Sequence, residues 1–169
     1  MSAEFAFFSS IALGFLAWGL VTSRYIWPRL RRLPSAAAIQ PLLIIHSFRF
    51  LGLAFLVPGV VSPDLPPAFA HAAAYGDVIA ATLAVLSLFT QSRGIGVLLV
   101  WMFNLWGTAD LFNAFYRANT SGLAPGQLGA TYFIPTLVVP MLLITHAVVF
   151  RLLLQPSREA AAQPRPLAT

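Results

Sequence analysis

Five apolar stretches dominate the pattern of hydrophobic and polar positions along the chain. Each is long enough, at about 1.5 Å of helical rise per residue, to cross the roughly 30 Å hydrocarbon core of a bilayer. Hydrophobic and polar residues do not alternate at every second position, so transmembrane strands are not expected. The pattern predicts five transmembrane helices, over residues 5–23, 40–61, 69–89, 95–116 and 132–153.

Residues that end or interrupt helices fill the segments between these stretches. Proline, glycine and polar residues mark four connecting segments, at 24–40, 62–67, 91–94 and 119–129. After residue 155 the sequence becomes polar and rich in Pro and Ala, a composition that does not support a packed core. The predicted fold class is an all-α polytopic membrane bundle over residues 1–155, followed by a disordered cytoplasmic tail over residues 156–169.

The composition excludes several classes of protein. Hydrophobic residues make up 59% of the chain and charged residues 9%, with a mean hydropathy of +0.80, whereas about a quarter of the residues of a soluble domain are charged. So few charges exclude a soluble or disordered protein. The ten Arg residues, with no Lys, are too scattered for a nucleic-acid-binding face. The absence of Cys excludes disulfides, thiolate nucleophiles and Cys-ligated metal sites.

The distribution of Arg predicts how the bundle is oriented. Eight Arg residues fall on one side of the predicted bundle, at positions 24, 29, 31, 32, 93, 151, 158 and 165, and Arg117 falls on the other. Because Arg is enriched in cytoplasmic loops, we predict that the N-terminus lies outside and the C-terminus in the cytoplasm. Arg as the sole basic residue in an Ala-rich chain is typical of a GC-rich bacterial genome. We therefore predict a multi-pass protein of the bacterial inner (plasma) membrane.

Three charged residues lie well inside the predicted spans. Arg49 and Asp77 fall near the midplane, and Asp110 falls in the outer third. A charged side chain at mid-bilayer is costly, so Arg49 is expected to face the bundle interior within reach of a carboxylate. With two Asp residues and one Arg, one carboxylate has no counter-charge. Proton-linked transport requires such a carboxylate within the membrane. The alternative is that Arg49 and Asp77 are only an interhelical clamp.

If Arg49 and Asp77 form a pair, removing one partner leaves the other uncompensated. Arg cannot readily lose its charge, whereas a carboxylate can take up a proton. The sequence therefore predicts that Asp77→Asn damages folding more than Arg49→Leu does. It also predicts that the double variant recovers much of the loss.

Polar and small residues recur at every third position of the fourth stretch. Asn104, Gly107, Asp110 and Asn113 form one slowly turning stripe on a helix. Such a stripe predicts a hydrated path or a polar ligand pocket. The alternative is a set of interhelical hydrogen bonds, worth about 0.6 kcal/mol each.

His46 and His146 fall at similar depths on the second and fifth stretches. Two His on different helices at one depth could ligate a b-type haem or relay protons. The alternative, which we favour, is two separate His residues that each form hydrogen bonds across helices or to the backbone. We therefore predict no cofactor, with haem b as the alternative, and no metal site.

The sequence contains no pattern of catalytic residues that points to an enzyme, neither a phosphate-binding loop nor a Ser–His–Asp or H-E-x-x-H arrangement. The leading hypothesis is a channel or carrier for a small solute or ion, proton-linked in one version. Its polar path would be lined by Arg49, Asp77, Asn104, Asp110 and Asn113. The alternatives are a haem- or quinone-linked redox subunit that uses the His pair, and a non-catalytic module that binds a lipid-like ligand or assists assembly. The expected partners are the bilayer and a second copy or another membrane subunit, without nucleic acid.

Overall fold

The computed structural model describes residues 2–90 and 94–155. The structure is all-helical, with 85% helix and no strand in the described ranges, in agreement with the predicted all-α class. The predicted tail at 156–169 and the Arg93 position lie outside the described residues.

Five long helices follow the five predicted stretches. They are α1 (Ala3–Leu30), α2 (Ser35–Leu56), α3 (Pro67–Thr90), α4 (Gly96–Thr120) and α5 (Ile134–Leu154). Four of them, α1, α2, α3 and α5, are long and apolar enough to cross a membrane. Helix α4 is 25 residues long, and its polar residues make it less hydrophobic than the others.

Helix α1 continues beyond residue 23, where the sequence predicts its end. One π-helical turn, Thr22–Ile26, joins the α-helical segment Ala3–Val21 to a last turn, Trp27–Leu30. Pro28 lies just after this π turn, and such a local change of winding accommodates a proline within an apolar helix. The proline therefore does not end the helix.

Helix α2 changes its winding close to its charged residue. It is α-helical over Ser35–Ser47 and 3₁₀-helical over Phe48–Leu56. Because a 3₁₀ helix has three residues per turn, side chains three positions apart are aligned. Arg49, Gly52 and Phe55 therefore share one face, and all three are buried. The 3₁₀ segment packs closely against α3.

Helices α2, α3, α4 and α5 form a four-helix bundle. Each packs against the next in sequence, and α5 closes the ring against α2. Buried Gly76, Ala80 and Ala84 on α3 allow the neighbouring helices to approach closely. Helix α1 lies outside this ring and packs against α5 and the 3₁₀ segment Pro125–Tyr132.

The two ends of the bundle differ in charge. One end, called the Arg-rich end, contains Arg24, Arg29, Arg31, Arg32 and Arg151. There the Arg151 guanidinium lies 4.2 Å from the centroid of the Trp27 ring, which joins the end of α5 to the end of α1. An apolar cluster that includes Leu43, Phe103 and Val149, all with no exposed surface, fills the bundle next to the Arg-rich end.

Two loops cover the opposite end, called the Arg-poor end, where Arg117 lies. The backbone N–H of Ser62 donates to the carbonyl of Gln127 at 3.0 Å, and that of Ala130 donates to the carbonyl of Val60 at 2.8 Å. Gly129 has a φ of +54°, and a Cβ there would overlap the Val60 carbonyl. This contact between the α2–α3 and α4–α5 connections therefore requires glycine.

Candidate functional site

Arg49 is the centre of a buried charged cluster. Its Nε donates to Asp77 Oδ1 and its Nη2 donates to Asp110 Oδ2, both at 2.7 Å. Arg49 is 2% exposed and each Asp is 8% exposed, so both ion pairs are largely shielded from solvent. The guanidinium faces the bundle interior and reaches both carboxylates, where the sequence predicts at least one.

The remaining guanidinium donors reach α4 and α5. Arg49 Nη1 donates to the carbonyl of Gly107 at 3.1 Å and lies 3.3 Å from His146 Nε2. A guanidinium only donates, so His146 Nε2 is the acceptor and its Nδ1–H donates to Asn104 Oδ1 at 2.7 Å. Asn104 Nδ2 donates in turn to the carbonyl of His146 at 3.3 Å. Arg49 thus connects α2 to the three other helices of the bundle.

Glycine lies against the cluster on each of α2, α3 and α4. A Cβ on Gly52 or Gly76 would overlap the carboxylate of Asp77 or Asp110, respectively. A Cβ on Gly107 would overlap the guanidinium and the imidazole bonded to it. An alanine at any of these positions would therefore displace a charged or hydrogen-bonded group from its partner.

His46 lies beside His146 but outside the hydrogen bonds of the charged cluster. Its Nε2 is 2.9 Å from Thr145 Oγ1, and the Thr145 hydroxyl donates to backbone carbonyls one turn earlier on α5. His46 Nε2–H is therefore the donor to Thr145. The other nitrogen, Nδ1, is buried and has no hydrogen-bond partner among the described residues.

The two imidazole rings pack directly against each other, with centroids 4.1 Å apart, and Phe103 meets His46 edge-on at 4.9 Å. Bis-His ligation requires the haem to lie between the two rings with a nitrogen of each facing the iron. Here the Nε2 atoms are bonded to Thr145 and Arg49 instead. Each His thus forms a hydrogen bond to a side chain on another helix, but the two residues are in contact and are not separate as the sequence predicts.

Asn113, the last residue of the predicted polar stripe, does not join the cluster. Its side chain is exposed, whereas Asn104, Gly107 and Asp110 are buried. On an α-helix each step of three residues stops about 60° short of a full turn. After three such steps Asn113 lies about half a turn away from Asn104, on the outer face of α4.

A cavity of about 290 Å³ lies between the charged cluster and the Arg-poor end. All five helices contribute to its wall, which is mostly apolar. Five phenylalanines line it: Phe7, Phe8, Phe55, Phe69 and Phe115. Asp77 and Asp110 line its inner part, and Asn119 adds an amide. The cavity thus has an apolar wall and an acidic floor. The floor consists of the carboxylates of Asp77 and Asp110.

The charges of the floor do not balance. One guanidinium faces two carboxylates, so the cluster has a formal charge of −1 when both carboxylates are ionised and His146 is neutral. No basic residue of the described chain lines the cavity. Within residues 2–90 and 94–155, no group of three or more His, Asp or Glu side chains is arranged to hold a metal ion. The floor can bind a proton, a cation or a hydrogen-bond donor.

Some parts of the site were not predicted from the sequence. For Gly52 the sequence does contain a usable pattern. His46, Arg49, Gly52 and Phe55 recur at every third position, which is the period of a 3₁₀ helix. The contribution of α1 to the cavity has no local signal, since phenylalanine is common throughout apolar spans. The role of Thr145 as the partner of His46 depends on how α2 and α5 pack.

Comparison with known proteins places the chain in one family. The chain belongs to the family described as Domain of unknown function (DUF8737), whose model matches residues 6–154. The matched region extends through all five helices. No curated protein and no solved structure matches the chain.

Proposed function

We propose that this family member is a membrane carrier for a small solute with an apolar body, bound in the cavity above Asp77 and Asp110. The supporting observation is a cavity with an apolar wall that ends on a buried charged cluster. Binding sites for small ligands typically combine an apolar lining with a few polar groups that fix orientation. The wall accommodates the body of the solute, and the floor orients its polar group.

The packing near the Arg-rich end favours a carrier over an open channel. Leu42, Leu43, Phe103 and Val149 are almost completely buried there, so a polar path from the cavity would have to cross them. Transport then requires a rearrangement after binding. The 3₁₀ segment of α2 and the π turn Ile134–Val138 of α5 contribute Phe55 and Ile134 to the cavity wall. Such departures from α-helical winding are common at hinges and functional sites.

Helix α4 is the fifth membrane span in this proposal. Its 25 residues extend for about 37 Å at 1.5 Å per residue, more than the roughly 30 Å needed. Asn104, Gly107 and Asp110 are buried in the bundle, and many of the exposed side chains of α4 are apolar, among them Leu98, Leu105 and Phe112. With the N-terminus outside, the cavity lies in the outer half of a bacterial inner membrane.

Cysteine labelling tests this topology, because the chain has no Cys of its own. Ser2→Cys and Ser121→Cys place a thiol at the Arg-poor end, and Ser35→Cys places one at the Arg-rich end. An impermeant maleimide added to intact cells should label the first two and not the third. Labelling of Ser35→Cys with Ser2→Cys would contradict the orientation. Failure to label Ser121→Cys while Ser2→Cys reacts would contradict α4 as a span.

Transport is tested in proteoliposomes with a variant that fills the cavity. Ala114 lines the cavity, whereas Ala109 is exposed on another face of the same helix. We expect uptake of a labelled aromatic solute above that of protein-free liposomes, lost in Ala114→Phe and retained in the matched control Ala109→Phe. Equal uptake by the two variants would show that the cavity is not the transport site.

A lipid-binding module without transport is the second candidate, because the same apolar wall suits a lipid-like ligand. It would show ligand-dependent stabilisation that Ala114→Phe abolishes, with no uptake in proteoliposomes. The redox alternative predicts a Soret band when purified protein is supplied with haem. Given the contact between the His46 and His146 rings, we expect no such band.

A further inference from the structure

We propose that the ligand of the cavity is an organic ammonium ion with an apolar body, whose cationic head lies against Asp77 and Asp110 beneath the phenylalanines. This inference rests on the proposed function, because it names the substrate class of the same cavity. It depends on three observations: the charge of the floor, the aromatic wall, and the opening of the cavity between two helices that do not pack closely together.

The acidic floor lacks one positive charge. Each carboxylate uses one oxygen to accept from Arg49, and its second oxygen, Asp77 Oδ2 or Asp110 Oδ1, has no hydrogen-bond partner among the described residues. Both Asp residues are more than nine-tenths buried and yet line the cavity. A buried charge without a counter-charge is destabilising. A monovalent cation in the cavity would bring the formal charge of the cluster to zero.

The aromatic wall selects the kind of cation. Five phenylalanines line a cavity that holds few polar groups beyond its floor. Faces of aromatic rings attract cations, and rings arranged around a cavity are a common way to bind quaternary ammonium groups. An inorganic cation would lose its water there without gaining enough oxygen ligands. An anion would meet two carboxylates and no basic side chain among the described lining residues.

The cavity borders a gap between two helices. Phe8 of α1 and Phe115 of α4 both line the cavity and both remain partly exposed, at 65% and 36%. Helix α1 packs against α5 and the Pro125–Tyr132 segment rather than closely against α4 in the described chain. This gap gives an amphiphilic cation a route from the membrane interface, with its apolar body in lipid and its head directed at the floor.

Three probes of nearly the same shape test the assignment. They are benzyltrimethylammonium, its uncharged carbon analogue neopentylbenzene, and the anion phenylmethanesulfonate. Binding is measured as the ligand-dependent rise in melting temperature of the protein in nanodiscs. We expect the cation to bind at least about 10-fold more tightly than either analogue. Asp110→Asn, which brings the formal charge of the cluster to zero, should reduce this preference by about 10-fold. The control Asp64→Asn, at an exposed loop position, should leave it unchanged.

The outcomes separate this inference from the proposed function. If the uncharged analogue binds best and Ala114→Phe abolishes its binding, the cavity is a ligand site but the ammonium assignment is wrong. Binding of the cation that Ala114→Phe leaves intact also overturns the assignment, as does no binding of any probe. If the cation binds selectively and is not taken up by proteoliposomes, the assignment holds and the carrier proposal fails. Dodecyltrimethylammonium, which dissolves in the membrane, tests the route of entry. If the ligand enters from lipid, this probe should displace benzyltrimethylammonium; if it does not, the ligand enters from water.

Discussion

The two carboxylates on Arg49 should be energetically coupled, so that removing both costs more than the sum of removing each. Asp77→Asn or Asp110→Asn leaves one ion pair at 2.7 Å and removes the excess negative charge. The asparagine oxygen can still accept from the guanidinium. We expect each single variant to lower the free energy of unfolding by about 1 kcal/mol, the loss for a weakened hydrogen bond.

The double variant leaves the guanidinium, 2% exposed, with no carboxylate. An uncompensated buried charge typically costs about 3–5 kcal/mol, and Arg cannot discharge itself by losing a proton. The double variant should therefore lose about 1–3 kcal/mol beyond the sum of the singles, within the range seen for residues in one network. Arg49→Leu, which leaves two adjacent carboxylates and removes the donor to Gly107 and His146, should also cost about 3–5 kcal/mol.

The measurement is detergent-induced unfolding of the purified protein, followed by tryptophan fluorescence and circular dichroism. Asp64→Asn is the matched control, since its side chain lies in an exposed loop and its change should be within about 0.5 kcal/mol of zero. Additive single and double effects, within about 0.5 kcal/mol, would refute the coupling. A milder effect of Arg49→Leu than of either single Asp variant would refute the charge count.

This ranking differs from the one that the sequence predicts. With Asp77 as the main partner, Asp77→Asn is expected to be worse than Arg49→Leu, because it leaves a bare cation. The structure shows that Asp110 bonds to the same guanidinium, so Asp77→Asn leaves a balanced pair. The second carboxylate therefore reverses the expected order.

Two further predictions concern the helix contacts around the cluster. Gly107→Ala should lower the free energy of unfolding by about 1–3 kcal/mol, because its Cβ would overlap the guanidinium and imidazole. The control Gly19→Ala, whose Cβ would meet nothing within 4 Å, should be neutral or stabilising by up to about 1 kcal/mol. An equal loss in both variants would contradict the packing. Asn104→Ala, which removes the hydrogen-bond partner of His146, should lower the free energy of unfolding by about 1–3 kcal/mol. The control Asn113→Ala should change it by less than about 0.5 kcal/mol. Similar losses for the two variants in the same assay would contradict the burial of Asn104 and the exposure of Asn113.

Hydropathy and charge are sufficient to predict the five helices and the interior position of Arg49. Apolar length specifies a helix when it matches a bilayer, and the high cost of a lone charge in lipid requires a partner for Arg49. Hydropathy depends on one segment at a time, and the cost of a charge depends on its depth alone. Neither predicts that Asn113 is exposed, because a three-residue stripe on an α-helix turns away from its starting face. Neither predicts that α1 continues through Pro28, because a π turn can accommodate a proline.

The sequence by itself determined the all-helical class, the five long helices and the small set of residues that can be charged in the interior. The tertiary structure decided that both carboxylates share one guanidinium, that the two His rings touch, and that α1 lies outside the four-helix ring and completes the wall of a cavity. These features depend on the winding of α2, on the rotation of each helix, and on glycines that permit close approach. Rotation and approach result from side chains of different helices packing together, and no single segment of sequence contains that information.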